Sequence, residues 1–272
     1  MMSLAGQVVV VSGAASGIGR ALAQLASARG ATVALSDVNA QGLEETRASL
    51  PGAHLAQVVD VAQRAQVEAF AAEVLRRFGR ADVVVSNAGV TVSQRTAELT
   101  YEDFEWLMGI NFWGVVHQVK AFLPHLLEQR SGTLVNVSSL FGLIGWPSQS
   151  AYCASKFAVR GFTESLRLEL DGTGVKALCV HPGGVATNIV SSSRFYVDDK
   201  GRPSKAKMQR DFGKVARTTP EAAATQILDA VAKGRERLLV GPDARALDRL
   251  QRWVPTQYFK VVRSLERLVR RP

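Results

Sequence analysis

A tyrosine and a lysine stand four residues apart in Tyr152-Cys-Ala-Ser-Lys156, near the start of a helical pattern. Residues i and i+4 share one face of a helix. A free phenol has a pKa of about 10 and is a poor base at neutral pH. A neighbouring ammonium favours the phenolate. Tyr152 beside Lys156 can therefore take a proton from an alcohol, or give one to a carbonyl oxygen. Ser138-Ser139 closes an apolar run upstream, and Ser139 lies thirteen residues before the tyrosine. Its hydroxyl can hold the same oxygen. An isolated Tyr-x-x-x-Lys pair arises by chance on many helices, so its meaning depends on context.

A second group sits near the N-terminus, where Val8-Val9-Val10-Val11-Ser12 runs into Gly13-Ala-Ala-Ser16-Gly17-Ile18-Gly19. Glycines permit a tight turn and a close approach of backbone to ligand. The helix that follows offers unpaired N–H groups and a positive dipole end to a diphosphate. A glycine cluster alone also fits a plain surface turn. Strand before and helix after are the context a dinucleotide site requires. The next strand ends in Asp37, 18 residues past Gly19. A carboxylate at that distance suits the adenosine ribose hydroxyls, and it repels a 2′-phosphate. Ser16 and Val38 stand where a cation would favour that phosphate. The expected cofactor is NAD rather than NADP; the competing reading of Asp37 is a solvated strand end or helix cap.

These residues need elements to position them. Strand candidates are 7–12, 31–36, 54–59, 82–86, 132–138, 175–181 and 237–240; helix candidates are 17–29, 40–50, 63–78, 101–128, 150–171 and 220–233. The first five strands are apolar almost throughout, which marks strands buried on both faces. Strand–helix alternation with short joins predicts a Rossmann-type α/β fold, a doubly wound parallel sheet of about seven strands with helices on both faces. Right-handed crossovers gather the strand C-termini on one edge, where ligands bind.

The chain has 272 residues, 47% apolar and 21% charged, enough for one full core. Disorder, collagen and disulfide scaffolds are excluded. Cys153 and Cys179 read as small buried hydrophobes of a reducing compartment, and no metal-ligand spacing surrounds them. No secretory signal and no apolar run of membrane length is visible, so a cytoplasmic protein is expected. Of the net charge of +9, +6 lies in residues 244–272, so the body is close to neutral. The tail's charge is a poor argument for nucleic-acid binding.

Taken in order, Gly13-x-x-x-Gly17-x-Gly19, Asp60, Asn87-Ala88-Gly89, Asn111, Ser139, Tyr152/Lys156 and His181-Pro182-Gly183 resemble the short-chain dehydrogenase/reductase family, in its compact single-domain branch. The resemblance covers residues 5 to about 241. It implies that Gly13, Ser16, Gly17, Ile18 and Gly19 hold the diphosphate, that Asp37 binds the ribose, and that Asp60 and Val61 flank the adenine. Asn87, Ala88 and Gly89 would support the central strand and line the cofactor. Tyr152 would be the acid/base, with Lys156 binding the nicotinamide ribose and lowering the Tyr152 pKa. Ser139 would orient the substrate oxygen, and Asn111 would keep a water for a proton relay. Pro182, Gly183, Val185 and Thr187 would hold the carboxamide. Two departures are slight: Ser12 replaces a common threonine and keeps the hydroxyl, and Ser86 replaces a common asparagine.

The resemblance implies hydride transfer between a nicotinamide and a secondary alcohol or ketone, in a homodimer or homotetramer. Residues 1–243 form the expected domain, including a substrate lid at 188–218. Phe195 and Tyr196 in the lid, facing Phe141, Leu143, Ile144 and Trp146, suggest a bulky apolar substrate such as a sterol, a retinoid-like lipid or an aryl compound. The same side chains also suit core or subunit interface. Residues 244–272 form a basic amphipathic extension: Tyr258, Val261/Val262, Leu265 and Leu268/Val269 repeat at helical spacing, with Lys260, Arg263, Arg267 and Arg270/Arg271 on another face. It packs on its own body or a sister subunit, or lies on an anionic membrane through Trp253, Tyr258 and Phe259. Competing functions are a polyol or sugar dehydrogenase of the same family, and a non-catalytic dinucleotide-binding scaffold with a membrane- or partner-binding tail.

Overall fold

In a computed structural model, which describes residues 3–269 and side chains as far as Ser264, strand and helix alternate from the N-terminus. They run β1 (Val8–Ser12), α1 (Gly17–Ala28), β2 (Thr32–Asp37), α2 (Ala40–Ala48), β3 (Leu55–Val58), α3 (Arg64–Phe78) and β4 (Val83–Ser86). A two-residue strand β5 (Val92–Ser93) precedes α4 (Tyr101–Met108) and α5 (Gly114–Gln129). There follow β6 (Gly132–Val137), α6 (Ser150–Glu169), β7 (Val175–Pro182), β8 (Arg194–Phe195), α7 (Lys205–Val215), α8 (Pro220–Ala232) and β9 (Arg237–Val240). The chain closes with α9 (Pro242–Trp253) and α10 (Tyr258–Val269).

Seven strands form one parallel sheet in the order β3-β2-β1-β4-β6-β7-β9. The order reverses between β1 and β4, so the crevice of a doubly wound sheet opens beyond the C-terminal ends of these two strands. The valine run of β1 shows why its sequence does not alternate. Val9 and Val11 pack with α1 and α8, through Leu22, Ala26, Ala223 and Ile227. Val8 and Val10 pack on the other face with α3, α5 and α6, through Phe70, Val74, Phe122 and Val159. Both faces are covered, so every position is apolar.

One expectation fails locally. The helix expected over 101–128 is broken by a π-helical turn at Gly109–Trp113, so α4 and α5 are separate. Within it the buried Asn111 side chain accepts from Val90 N at 2.8 Å and donates to Val90 O at 2.9 Å. That capture is made at the wider turn, a distortion common at functional sites. Residues 188–218, the expected lid, contain β8, paired in parallel with β5, and α7.

The basic extension forms α9 and α10; Tyr258, Phe259 and Val262 face the body, whereas Trp253 and Val261 are exposed. Tyr258 packs with Leu140, Leu143 and Ile144, and Phe259 meets Trp146 edge-on with ring centroids 5.3 Å apart. Leu265, Leu268 and Val269 of the expected stripe, and Arg267, Arg270 and Arg271 of the basic face, lie outside the described side chains. No helix among the described residues is long and apolar enough to cross a membrane. Cys153 and Cys179 are free and buried.

Candidate active site

One cavity of about 1150 Å³ runs along the C-terminal edge of the sheet, from the glycine turn to the Tyr152–Lys156 helix. Its dinucleotide half begins where β1 meets α1. Gly13 and Gly17 adopt φ +65° and +53°, the left-handed region that disfavours a side chain. A Cβ at Gly19 would stand 2.0 Å from Gly13 O. Ser16 is the N-cap of α1, yet its side chain makes no capping hydrogen bond. The first-turn N–H groups thus point at the cavity without a side-chain acceptor, as a diphosphate requires. Thr187 covers this turn, its Cγ2 only 3.1 Å from where a Gly17 Cβ would be. By these features the glycine turn fits a dinucleotide.

Asp37 is fixed by two backbone donors, Ala15 N and Asn39 N, both at 2.9 Å. Arg20 follows the glycine turn but is committed to Ala15 O, Gly42 O and Glu45. Asp60 and Val61 line the next stretch, with Asp60 Oδ1 accepting from Ala62 N. Asn87 laces β4 to the glycine turn, donating from Nδ2 to Ser12 O (3.0 Å) and Gly13 O (3.3 Å). Ser12 completes the lacing: its hydroxyl accepts from the amides of Asn87 and Ala88 and bonds Gln118 Oε1. The Ser86 hydroxyl is buried and has no partner, so the bond an asparagine would make there is absent.

At the reacting end the adjacent serines take different parts. Ser138 donates to Lys156 O at 2.8 Å and is buried. Ser139 caps the 3₁₀ turn Leu140–Gly142 and hydrogen-bonds the Tyr152 phenol. His181 Nδ1 lies 3.1 Å from Ser139 O. A carbonyl only accepts, so this nitrogen carries the proton; burial pushes His181 down to about 4, keeping the ring neutral at ordinary pH. Lys156 donates to Val137 O at 3.0 Å, with Nζ 5.7 Å from the Tyr152 ring centroid.

The expectation that Lys156 lowers the Tyr152 pKa meets a competing effect. Burial raises the phenol to about 12, with the Ser139 hydrogen bond acting in the opposite sense. Burial likewise lowers Lys156 to about 8. Desolvation penalises each charged form, and Lys156 directs its ammonium to a carbonyl. Tyr152 therefore keeps its proton at neutral pH.

All but two of the sequence-derived site residues line the cavity; Gly19 and Asn111 lie behind it. Gly19 is packed under Gly13, and Asn111 supports Val90. Pro182, Gly183, Val185 and Thr187 form the wall after β7. Its organiser is a residue sequence reasoning missed. Asp243, at the start of α9, accepts from Gly184 N at 2.6 Å, and a Cβ on Gly183 would fall 2.2 Å from its carboxylate. The only local signal was an acid in a helix's first turn, 59 residues from its partner.

The expected lid contacts need correction. Phe195 and Tyr196 do not line the cavity. Arg194 pairs with Asp103 at 2.7 Å and lies 3.7 Å over the Trp106 ring, and Tyr196 hydrogen-bonds Asp103. These contacts clamp the segment against α4. Met208, Phe212 and Val215 of α7 form the apolar wall instead. Opposite them, Phe141 and Trp146 line the cavity, whereas Leu143 and Ile144 are buried in the core.

The comparisons with known proteins agree with this geometry. The short chain dehydrogenase family profile matches residues 7–195. A protein named as an oxidoreductase, SadH of Mycobacterium tuberculosis, is 44% identical over 268 residues, 96% of each chain. The 3-oxoacyl-[acyl-carrier-protein] reductase FabG of Thermotoga maritima is 36% identical over 189 residues, covering 68% of this chain and 77% of its own. Among solved structures, a short chain dehydrogenase/reductase from Burkholderia phymatum in complex with NAD superposes with a TM-score of 0.82 at 31% identity, covering 93% of this chain and 95% of that one. A glycine turn that fits a dinucleotide, a tyrosine–lysine helix at the far end of the same crevice, and these likenesses have one common account: the chain belongs to the short chain dehydrogenase family of oxidoreductases.

Proposed function

We propose that the protein interconverts a bulky, apolar secondary alcohol and its ketone, with NAD as cofactor. The carrying observation is the Tyr152 phenol, buried, bonded to Ser139, and facing a cavity whose other end is the glycine turn. Bound nicotinamide supplies or takes up the hydride. In reduction Tyr152 gives its proton to the carbonyl oxygen, which Ser139 holds by a second hydrogen bond. In oxidation Tyr152 takes the proton back. Lys156 holds the nicotinamide ribose, and Asn111 keeps the π-helical turn in place beside it. Pro182, Gly183, Val185 and Thr187 hold the carboxamide, on a turn fixed by Asp243. A panel of secondary alcohols of graded size and polarity, followed at the absorbance of reduced nicotinamide, tests the reading. Turnover confined to polyols or sugars, or absent throughout, overturns it.

The NAD preference is supported by Asp37 in the cavity wall, Val38 beside it, and the commitment of Arg20 elsewhere. In the wild-type protein kcat/KM is expected to be at least about tenfold higher with NAD, since placing a 2′-phosphate against a carboxylate costs on the order of 1.4 kcal/mol or more. Asp37→Ala with Val38→Arg should reverse the ratio. A wild-type preference for NADPH would remove the assignment.

The pH dependence has a definite sign. Tyr152 lies above its ordinary value, so it keeps its proton through the neutral range. Reduction, which needs that proton, should change little between pH 6 and pH 8. Oxidation needs the base, so its kcat/KM should climb over that interval with a slope of roughly one logarithmic unit per pH unit. Equal flat profiles in both directions would be incompatible with Tyr152 as acid/base. Lys156 is depressed, so its charged form costs folding stability; that penalty builds as pH falls from the ordinary lysine value towards about 8 and is constant below it.

Association as a homo-oligomer is supported by exposed apolar residues on α6 and on the π-helical turn Gly109–Trp113 that packs against it. Trp113 is 52% exposed, Phe157 40% and Leu168 70%. Large apolar side chains left exposed on one helix and its neighbouring turn suit an interaction surface. Sedimentation should show a dimer or tetramer at micromolar concentration; a monomer there refutes the association.

A further inference from the structure

The C-terminal helix α10 lies beyond the segment matched by the family profile, and its inward face reaches the cavity. Val262 lines the cavity, as does Leu247 of α9. Contacts on both banks of the opening hold α10 there. On one bank the Tyr258 hydroxyl accepts from Gly145 N at 2.8 Å and donates to Gly145 O at 2.9 Å. Phe259 packs edge-on against Trp146, which stacks on Phe141 with planes 12° apart, and Phe141 meets Tyr152 edge-on at 6.2 Å. A continuous line of aromatic contacts thus joins α10 to the reacting tyrosine. On the other bank, Arg263 pairs with Asp199 of the lid at 3.3 Å and lies 5.1 Å over the Phe259 ring. Both residues of the ion pair are mostly buried, with side chains 26% and 24% exposed.

We propose that α10 is the third wall of the substrate pocket and that Val262 sets the size of substrate it admits. This rests on the reading of the site as an apolar alcohol–ketone pocket. Phe141 and Trp146 make one wall, Met208 and Phe212 of α7 the second, and Val262 with Leu247 the third. Charged side chains of the lid and of α7, among them Asp198, Arg202, Lys207 and Asp211, also border the cavity, but apolar walls discriminate by shape, so one added ring at position 262 excludes large ligands before small ones. The contacts of Tyr258 and Arg263 keep that wall at a fixed distance from Tyr152.

Two measurements on the full chain test the proposal. The first is the affinity of 1-aminoanthracene, an apolar dye whose emission reports its own binding without turnover. Val262→Trp should weaken it at least tenfold, while Lys260→Trp, on the exposed side of α10, should change it less than twofold. The second is the ratio of kcat/KM for 2-adamantanone to that for 2-butanone. Val262→Trp should lower this ratio at least tenfold, and Val262→Ala should raise it. Failure of the dye to bind wild-type protein, equal weakening by both tryptophans, or a size ratio indifferent to residue 262 would each overturn the proposal. Dye binding that depends on Val262, with no ketone reduced by any form, would leave the wall standing and defeat the oxidoreductase reading instead.

Discussion

Tyr152→Phe is expected to reduce turnover about 10³-fold in both directions, the scale of a lost general acid/base. The substitution removes one oxygen and leaves the ring in place. That ring keeps its edge contact with Phe141 at 6.2 Å and its position 5.7 Å from Lys156 Nζ. The phenol is buried at the reacting end, where burial has raised it to about 12. Losing it sacrifices only the Ser139 hydrogen bond, about 1 kcal/mol of stability in the usual range. Thermal unfolding should therefore shift by only a few degrees. Titration with reduced nicotinamide, read by fluorescence, should give an affinity within about twofold of wild type, because the binding surface of the glycine turn is untouched. The combination separates proton transfer from cofactor binding. A variant that still turns over at a tenth of the wild-type rate would remove Tyr152 from the chemistry. A variant that loses cofactor affinity together with activity would make it a structural residue.

Gly19→Ala should produce the opposite pattern, with binding lost before chemistry. Gly19 does not touch the cavity, yet a methyl there would come within 2.0 Å of Gly13 O and 2.7 Å of Asn87 Nδ2. Neither neighbour can yield cheaply. Gly13 is held in the left-handed region, and Asn87 is spent on Ser12 O and Gly13 O. Relief requires α1 to move away from β1, against the packing of Leu22 and Ala26 on Val9 and Val11. Such overpacking costs roughly 1–3 kcal/mol in stability. The movement also displaces the N–H groups at the start of α1 from the place where a diphosphate would meet them. Cofactor affinity by calorimetry should fall at least about 100-fold, on the order of 2.7 kcal/mol. Far-ultraviolet circular dichroism should show the fold retained. Undiminished affinity in a folded Gly19→Ala protein would mean that the glycine turn is not the diphosphate site.

Much of this was legible along the chain. The seven strands of the main sheet were placed within a residue or two, because a strand buried on both faces must be apolar at every position, and Val8–Val11 meets that demand on its two faces separately. Gly13, Gly17 and Gly19 stood out because the turn has no room or suitable φ for side chains. Tyr152 and Lys156 share a face because 3.6 residues make a turn. The break at Asn111 was not legible. A run from 101 to 128 has the apolar spacing of one helix, and what interrupts it is a pair of bonds to Val90, in a segment 21 residues earlier. The parts of Ser138 and Ser139 also needed the fold to show what each hydroxyl meets.

What residue order determined by itself is the family, the parallel sheet and the placing of the glycine turn and the tyrosine–lysine pair on one edge, since each follows from backbone geometry over a few residues. What only the tertiary structure decided is the shape of the substrate half. Phe195 and Tyr196 had the right character for a lid, but Arg194 and Asp103 draw their segment onto α4, and Met208, Phe212 and Val262 line the space instead. Asp243 fixes the turn after β7 from a helix 59 residues away. Such contacts join segments that local periodicity treats as independent. Their partners are chosen by packing and by charge pairing across the folded chain, and neither leaves a mark on the spacing of residues within either segment.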